Sequence, residues 1–156
     1  MIAQSSNIAI NLTMQARGLP IAYMMTVGNQ AQTGLSEIGQ TLLSDPRVTA
    51  LGLHIEGIDD IAALIDLSET AKAQGKSIIA LKVGKSEQAQ QAAISHTASL
   101  AGSDAGASAL FERLGIGRVS SLSSFLETLK LLHVTGTLPS PQIAYMSFSG
   151  GEALFP

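Results

Sequence analysis

The segment Ala92-Ala93-Ile94-Ser95-His96-Thr97-Ala98-Ser99-Leu100-Ala101-Gly102-Ser103-Asp104 sets one imidazole among small residues and hydroxyls. Small neighbours let other groups reach the ring, and the hydroxyls of Ser95, Thr97 and Ser99 can orient it or bind an anion. An imidazole is nucleophilic when neutral and titrates near neutrality, with a reference pKa of about 6.5. It can accept a phosphoryl group and pass it on, dividing one hard transfer into two. Such a histidine needs a carboxylate on its other ring nitrogen to fix the tautomer, by the logic of a triad. Glu56, at the end of an apolar run, suits that role. It also needs a cradle for phosphate. Gln4-Ser5-Ser6-Asn7 leads into a helical pattern, whose first amides and positive dipole end favour an anion.

Each of these residues also has an ordinary structural explanation when taken alone. A lone loop histidine such as His96 is usually a surface or hydrogen-bonded structural residue. Glu56 can be a solvated turn residue or a cap, and Ser5-Ser6-Asn7 a plain helix cap. His54 falls inside an apolar strand pattern, which predicts a packed or edge position. His133 falls near a helix C-terminus, where a partly charged imidazole suits the dipole. The pair Met24-Met25 reads as core.

The elements that must position these groups follow from the apolar pattern. Residues 21–27, 50–55, 77–83 and 142–148 are short apolar runs, and the first three end at glycine turns; each reads as a buried strand. A weaker strand is expected around Arg118-Val119. Ser6 or Asn7 is expected to cap a helix through Arg17, stopped by Gly18. Further helices are expected over 35–43, from Asp59 or Asp60 to Gly75, from Ser103 or Asp104 to Leu114, and from a Ser123 cap through His133 to Gly136. Strands alternating with helices predict an α/β fold, with a mainly parallel sheet between two helical layers. Ligands in such folds sit at the carboxyl ends of the strands. The turns at 4–7, Gly28-Asn29 and Glu56-Gly57 are therefore expected on one rim.

Composition excludes several classes. The 156 residues suit one domain, and 46% hydrophobic against 13% charged is a globular balance. The net charge of −3 and the lack of a basic run exclude nucleic acid as a main partner. With no cysteine there is no disulfide and no thiolate-ligated metal, and no metal-ligand set is expected. The opening residues lack the features of a signal peptide, and no apolar run is long enough to span a membrane, so a cytoplasmic location is expected. Few aromatics, 4% in all, disfavour an FMN-binding module. There is no G-x-x-x-x-G-K-[ST] loop and no G-x-G-x-x-G turn. Both ends read as cut. Residues 1–137 form the expected domain, with its first strand truncated. Residues 138–156 read as a linker, with Pro139 and Pro141, and the first strand and turn of a following domain.

Ser95-His96-Thr97-Ala98-Ser99-Leu100-Ala101-Gly102 resembles the phosphohistidine motif of the nucleoside-diphosphate-forming acyl-CoA synthetases, a group related to succinyl-CoA synthetase. The resemblance runs along nearly the whole chain. Gln4-Ser5-Ser6-Asn7 is similar to the family's turn before its phosphate-binding helix. Gly28-Asn29-Gln30-Ala31 resembles a Gly-Asn-Glu-Ala turn. Asp45-Pro46 followed by Ile55-Glu56-Gly57-Ile58 resembles the strand that bears the histidine-orienting glutamate. Leu81-Lys82-Val83-Gly84-Lys85-Ser86 resembles the lead-in to the histidine loop, and Ser149-Gly150-Gly151-Glu152 the start of the next flavodoxin-like domain.

The resemblance implies a three-layer α/β/α, flavodoxin-like fold and a set of roles. His96 would carry phosphoryl, oriented by Glu56. Ser5, Ser6, Asn7, Ser95 and Thr97 would bind phosphate, and Gly28 and Asn29 would contact substrate. The reaction interconverts an acyl-CoA, phosphate and a nucleoside diphosphate with the acid, CoA and the triphosphate. CoA, ATP or ADP and magnesium would be handled by a CoA-binding domain and an ATP-grasp domain in the same chain or a partner subunit. No tightly bound cofactor is expected here, and a homo-oligomer is compatible. The alternative is a CoA-ester-binding or regulatory ligase-like module, such as one fused to a protein acetyltransferase. Three departures stand out: Ser6 and Ala98 where glycine is common, and Gln30 where an acid is common. None removes a group the chemistry needs.

Overall fold

The computed structural model describes residues 1–58, 60–84, 103–140, 142, 144, 146, 148 and 149. Strands β1 (Ile2–Ala3), β2 (Met25–Thr26), β3 (Ala50–Ile55), β4 (Ser77–Lys82) and β5 (Gly117–Val119) alternate with helices α1 (Ser6–Thr13), α2 (Leu35–Leu43), α3 (Ile61–Ala73), α4 (Asp104–Leu114) and α5 (Leu122–Thr135). The strands form one sheet in the order β2-β1-β3-β4-β5, and every pairing is parallel. This is the flavodoxin-like order, whose switch point lies between β1 and β3.

Two apolar layers cover the sheet. Leu51, Leu53, Ile55, Ile78 and Ala80 pack with Leu35, Leu42 and Leu43 of α2, Leu64 and Leu67 of α3, and Phe111 of α4. The alternate strand residues, Ile79 and Leu81, pack with Leu12 of α1 and Phe125, Leu126 and Leu129 of α5. A strand sends successive side chains to opposite faces, so both sides of β3 and β4 must be apolar and both are covered. Gly52 points at the α5 layer, where an added Cβ would stand 2.6 Å from Leu129 Cδ1 and 2.7 Å from Phe125 Cζ. Its missing side chain is what lets α5 sit so close. Gly115 closes α4 at φ 65°, a left-handed conformation that glycine adopts without a Cβ penalty.

Several expectations need correction. The apolar run 21–27 gives a strand of two residues at the sheet edge, not a buried strand. β2 pairs with β1 alone, through Ile2↔Met25 and Ala3↔Thr26, and Met25 is exposed rather than core. Met24 is half-buried against the α1/α5 layer. Helix α1 stops at Thr13 instead of Arg17, since residues 13–18 are all exposed and no packing supports another turn. Its cap is Ser5, one residue before the expected Ser6 or Asn7. Ser121, rather than Ser123, caps α5. β4 ends at Lys82, one residue before the expected end. Of the strand expected over 142–148, only residues 142, 144, 146 and 148 are among those described.

Candidate functional site

The C-terminal ends of β1 and β3 meet at the switch point, and Gln4 spans it. Its side chain is buried and makes three hydrogen bonds to the turn after β3. Oε1 accepts from the amides of Glu56, at 2.5 Å, and Gly57, at 2.9 Å. Nε2 donates to the Gly57 carbonyl at 2.7 Å, and the Gln4 amide donates to His54 O at 3.2 Å. From the other side, the buried Lys82 at the end of β4 donates to Glu56 O at 2.8 Å and Val83 O at 2.7 Å. Both amides and both carbonyls of Glu56-Gly57 are thus bonded to the side chains of the residue that follows β1 and the residue that ends β4. The half-buried Glu56 carboxylate accepts no hydrogen bond among the described residues.

Helix α1 starts from the same rim. Ser5 is extended, at φ −114° and ψ 122°, and its Oγ accepts from Ile8 N at 3.4 Å. The exposed Ser6 and Asn7 supply the first helical amides, and Asn7 O accepts from Asn11 Nδ2 at 2.9 Å. Gly28, at φ 54°, and Asn29 form an exposed turn after β2, in which Asn29 Oδ1 accepts from Ala31 N at 3.3 Å. Gln30 follows at φ 59°, and its Oε1 accepts from Leu35 N at 2.8 Å, so it serves as the cap that Gly34 cannot provide. Gln4, Gln30, Gly57 and Ile58 line one small hollow beside α2 and α3. No hydrogen bond among the described residues joins Gly28 or Asn29 to the Glu56 turn.

Charge at the rim is structured by burial. Desolvation lowers the Lys82 pKa below its ordinary value; the negative charges of Asp104 and Glu56 oppose this and Arg118 adds to it. Asp104, the first residue of α4, is ion-paired to Arg118 of β5, which also bonds Ser108. His54 lies within β3, buried, with its Nδ1 unpartnered among the described residues. Desolvation lowers its pKa, with Lys82 working in the same direction. It is the packed residue its strand pattern predicted. His133 lies at the other end of the sheet, where its Nδ1 meets Thr49 Oγ1 at 2.9 Å. His96, Ser95 and Thr97 lie outside the described residues. They belong to the connection that leaves β4 after Lys82 and returns at Asp104.

The Ser5 turn and Glu56 share the rim expected of them; Gln4, expected only as part of the anion-cradling turn, instead holds the Glu56 turn together with Lys82, and Asp104 pairs with Arg118. Lys82 carried a signal: a charge at the end of an otherwise apolar strand run must find partners when buried.

Residues 1–132 match the succinyl-CoA ligase like flavodoxin domain, and the chain belongs to that family. It is 33% identical over 128 residues to the ADP-forming acetate–CoA ligase of Methanocaldococcus jannaschii, covering 82% of this chain and 18% of that protein. It is 30% identical over 167 residues to the ADP-forming acetate–CoA ligase II subunit alpha of Pyrococcus furiosus, covering 98% of this chain and 35% of that subunit. The solved dinucleotide forming acetyl-coenzyme A synthetase 1 of Ca. Korarchaeum cryptofilum, in complex with phosphate and ADP, superposes with a TM-score of 0.75 at 28% identity, over 85% of this chain and 29% of that one. The chain therefore spans a minor part of each relative's length.

Proposed function

We propose that this chain is the phosphoryl-carrying domain of an acid–CoA ligase of the nucleoside-diphosphate-forming type. The observation that carries the reading is the Glu56-Gly57 turn, held by Gln4 and Lys82 at the switch point beside the start of α1. It presents a carboxylate on a rigid main chain next to a helix N-terminus. Those are the two supports a phosphoryl-accepting histidine requires.

In this reading a phosphate oxygen displaces CoA, as its thiol, from the acyl carbon to give an acyl phosphate, and a neutral His96 then attacks the phosphorus of that acyl phosphate. The bond to the acyl oxygen breaks and the free acid leaves. Glu56 accepts a hydrogen bond from the other ring nitrogen and stabilises the cation that phosphorylation creates. The amides at Ser6 and Asn7, with the hydroxyls of Ser5, Ser95 and Thr97, hold the phosphoryl oxygens. Gly28 and Asn29 contact substrate from the next turn of the rim. The phosphoryl then passes to a nucleoside diphosphate, restoring the imidazole.

CoA and the nucleotide, with its magnesium, are assigned to a CoA-binding domain and an ATP-grasp domain, in the same polypeptide or a partner subunit. The setting is the cytoplasm, where acyl-CoA esters and nucleotides occur together; no helix among the described residues is long and apolar enough to cross a membrane. The test is nucleoside triphosphate formation by the full-length protein given acetyl-CoA, phosphate and ADP. The reading expects turnover that His96→Ala abolishes. Undiminished turnover in that variant would overturn the carrier role.

A further inference from the structure

The Glu56 turn is more tightly held than a strand-to-helix connection needs. Its two amides and two carbonyls are all bonded to two buried side chains. Gln4, following β1, takes three of the four groups, and Lys82, ending β4, takes the fourth. A buried ammonium is costly to desolvate, and nothing about connecting β3 to α3 requires one. Its second bond, to Val83 O, ties it to the first residue after β4, where the connection toward His96 leaves the sheet. At the far end of that connection, Arg118 holds Asp104. One cation therefore fixes both the residue proposed to orient the histidine and the point from which the histidine segment departs.

We infer that Gln4 and Lys82 are positioning residues that set the Glu56 carboxylate against the proposed phosphoryl-accepting histidine. They act through the main chain of residues 56–57 and touch no reacting atom. This rests on the carrier function proposed above. The physical reason is that a general base or orienting carboxylate loses effect when displaced by fractions of an ångström. A carboxylate on an unrestrained turn would sample many positions. Here its side-chain torsions are the main freedom left.

The test is a double-mutant cycle on the rate at which the full-length protein takes up acid-labile phosphate. The single variants are Lys82→Met and Glu56→Gln, combined in a third protein. If Lys82 acts through Glu56, Lys82→Met slows phosphorylation by roughly tenfold or more, an effect typical of a displaced catalytic group. In the Glu56→Gln background it slows it no further, to within about twofold. Losses that multiply, or an unchanged rate in Lys82→Met, would overturn the inference. Should Lys82→Met fail to fold, Gln4→Glu runs the same cycle, because it keeps an acceptor for both amides while replacing the donor to Gly57 O with an oxygen that repels that carbonyl.

A wild-type protein that takes no phosphate would instead overturn the carrier reading, and the catalytic role of the pair with it. Amide hydrogen exchange then judges the clamp separately. The Glu56 and Gly57 amides are expected to be protected in wild type and to exchange at least tenfold faster once the Gln4 side chain cannot accept from them. Equal exchange would overturn the clamp itself.

Discussion

Replacing Gln4 by methionine keeps the length of the side chain and removes its polar end. In the folded protein three main-chain groups lose their partner: the amides of Glu56 and Gly57 and the carbonyl of Gly57. An unsatisfied buried polar group costs roughly 1–3 kcal/mol. Burying the thioether in place of the amide returns about 1.5–3 kcal/mol. At mid-range the net loss is about 4 kcal/mol, a large share of the roughly 5–15 kcal/mol that holds a domain folded. With a urea slope of about 2 kcal/mol/M, the midpoint should fall by about 2 M. The chain has no tryptophan, so far-ultraviolet circular dichroism is the suitable probe. Gln15→Met provides the control. That glutamine is exposed and donates to Asn11 O at 3.2 Å, and the same chemical change there should stay within about 0.5 kcal/mol. A Gln4→Met loss as small as the Gln15→Met loss would refute the claim that the clamp is buried and fully bonded.

Three further outcomes follow from the same geometry. Gly52→Ala puts a methyl about 1 Å inside the normal contact distance of Leu129 and Phe125, and should cost about 1–3 kcal/mol by urea titration. In a Leu129→Ala background the cost should shrink by at least about 0.5 kcal/mol, and equal costs in both backgrounds would contradict the packing. Burial holds His54 below its ordinary pKa. Below about pH 6.5 the unfolded chain therefore binds a proton that the folded one refuses, and stability falls with falling pH until the lowered folded pKa is passed, by up to about 1.4 kcal/mol per pH unit. His54→Phe should remove that part of the slope between pH 7 and 5.5, and identical slopes would refute it. This chain by itself should not turn over acyl-CoA when assayed for free thiol release, and measurable turnover would show that the other domains are dispensable.

The sequence was most legible where periodicity and boundary residues agreed. β3 and α2 run over the expected residues, since one lies in a continuous apolar run and the other between turn residues. The Ser103 and Gly115 ends of α4 were visible as a capping hydroxyl and a left-handed glycine. The edge strand was not legible, because 21–27 has the composition of a core strand while β1 offers it only two partners. Composition does not report how many neighbours a strand has. The shared rim of Glu56 and the Ser5 turn was legible from their place after apolar runs, whereas the roles proposed for them come from the family resemblance. Gln4 and Lys82 were not, because their importance lies in contacts with residues 52 and 26 positions away along the chain. Only the β1-β3-β4 pairing brings them together.

The proposed function turns on a phosphoryl group carried by His96, which peptide mapping can locate. Full-length protein incubated with acetyl-CoA and labelled phosphate, without nucleotide, should carry acid-labile, base-stable label within residues 85–102. Glu56→Gln should slow its appearance, and His96→Ala should abolish it. Label that persists in His96→Ala, or that maps to another segment of the wild-type protein, would contradict the account.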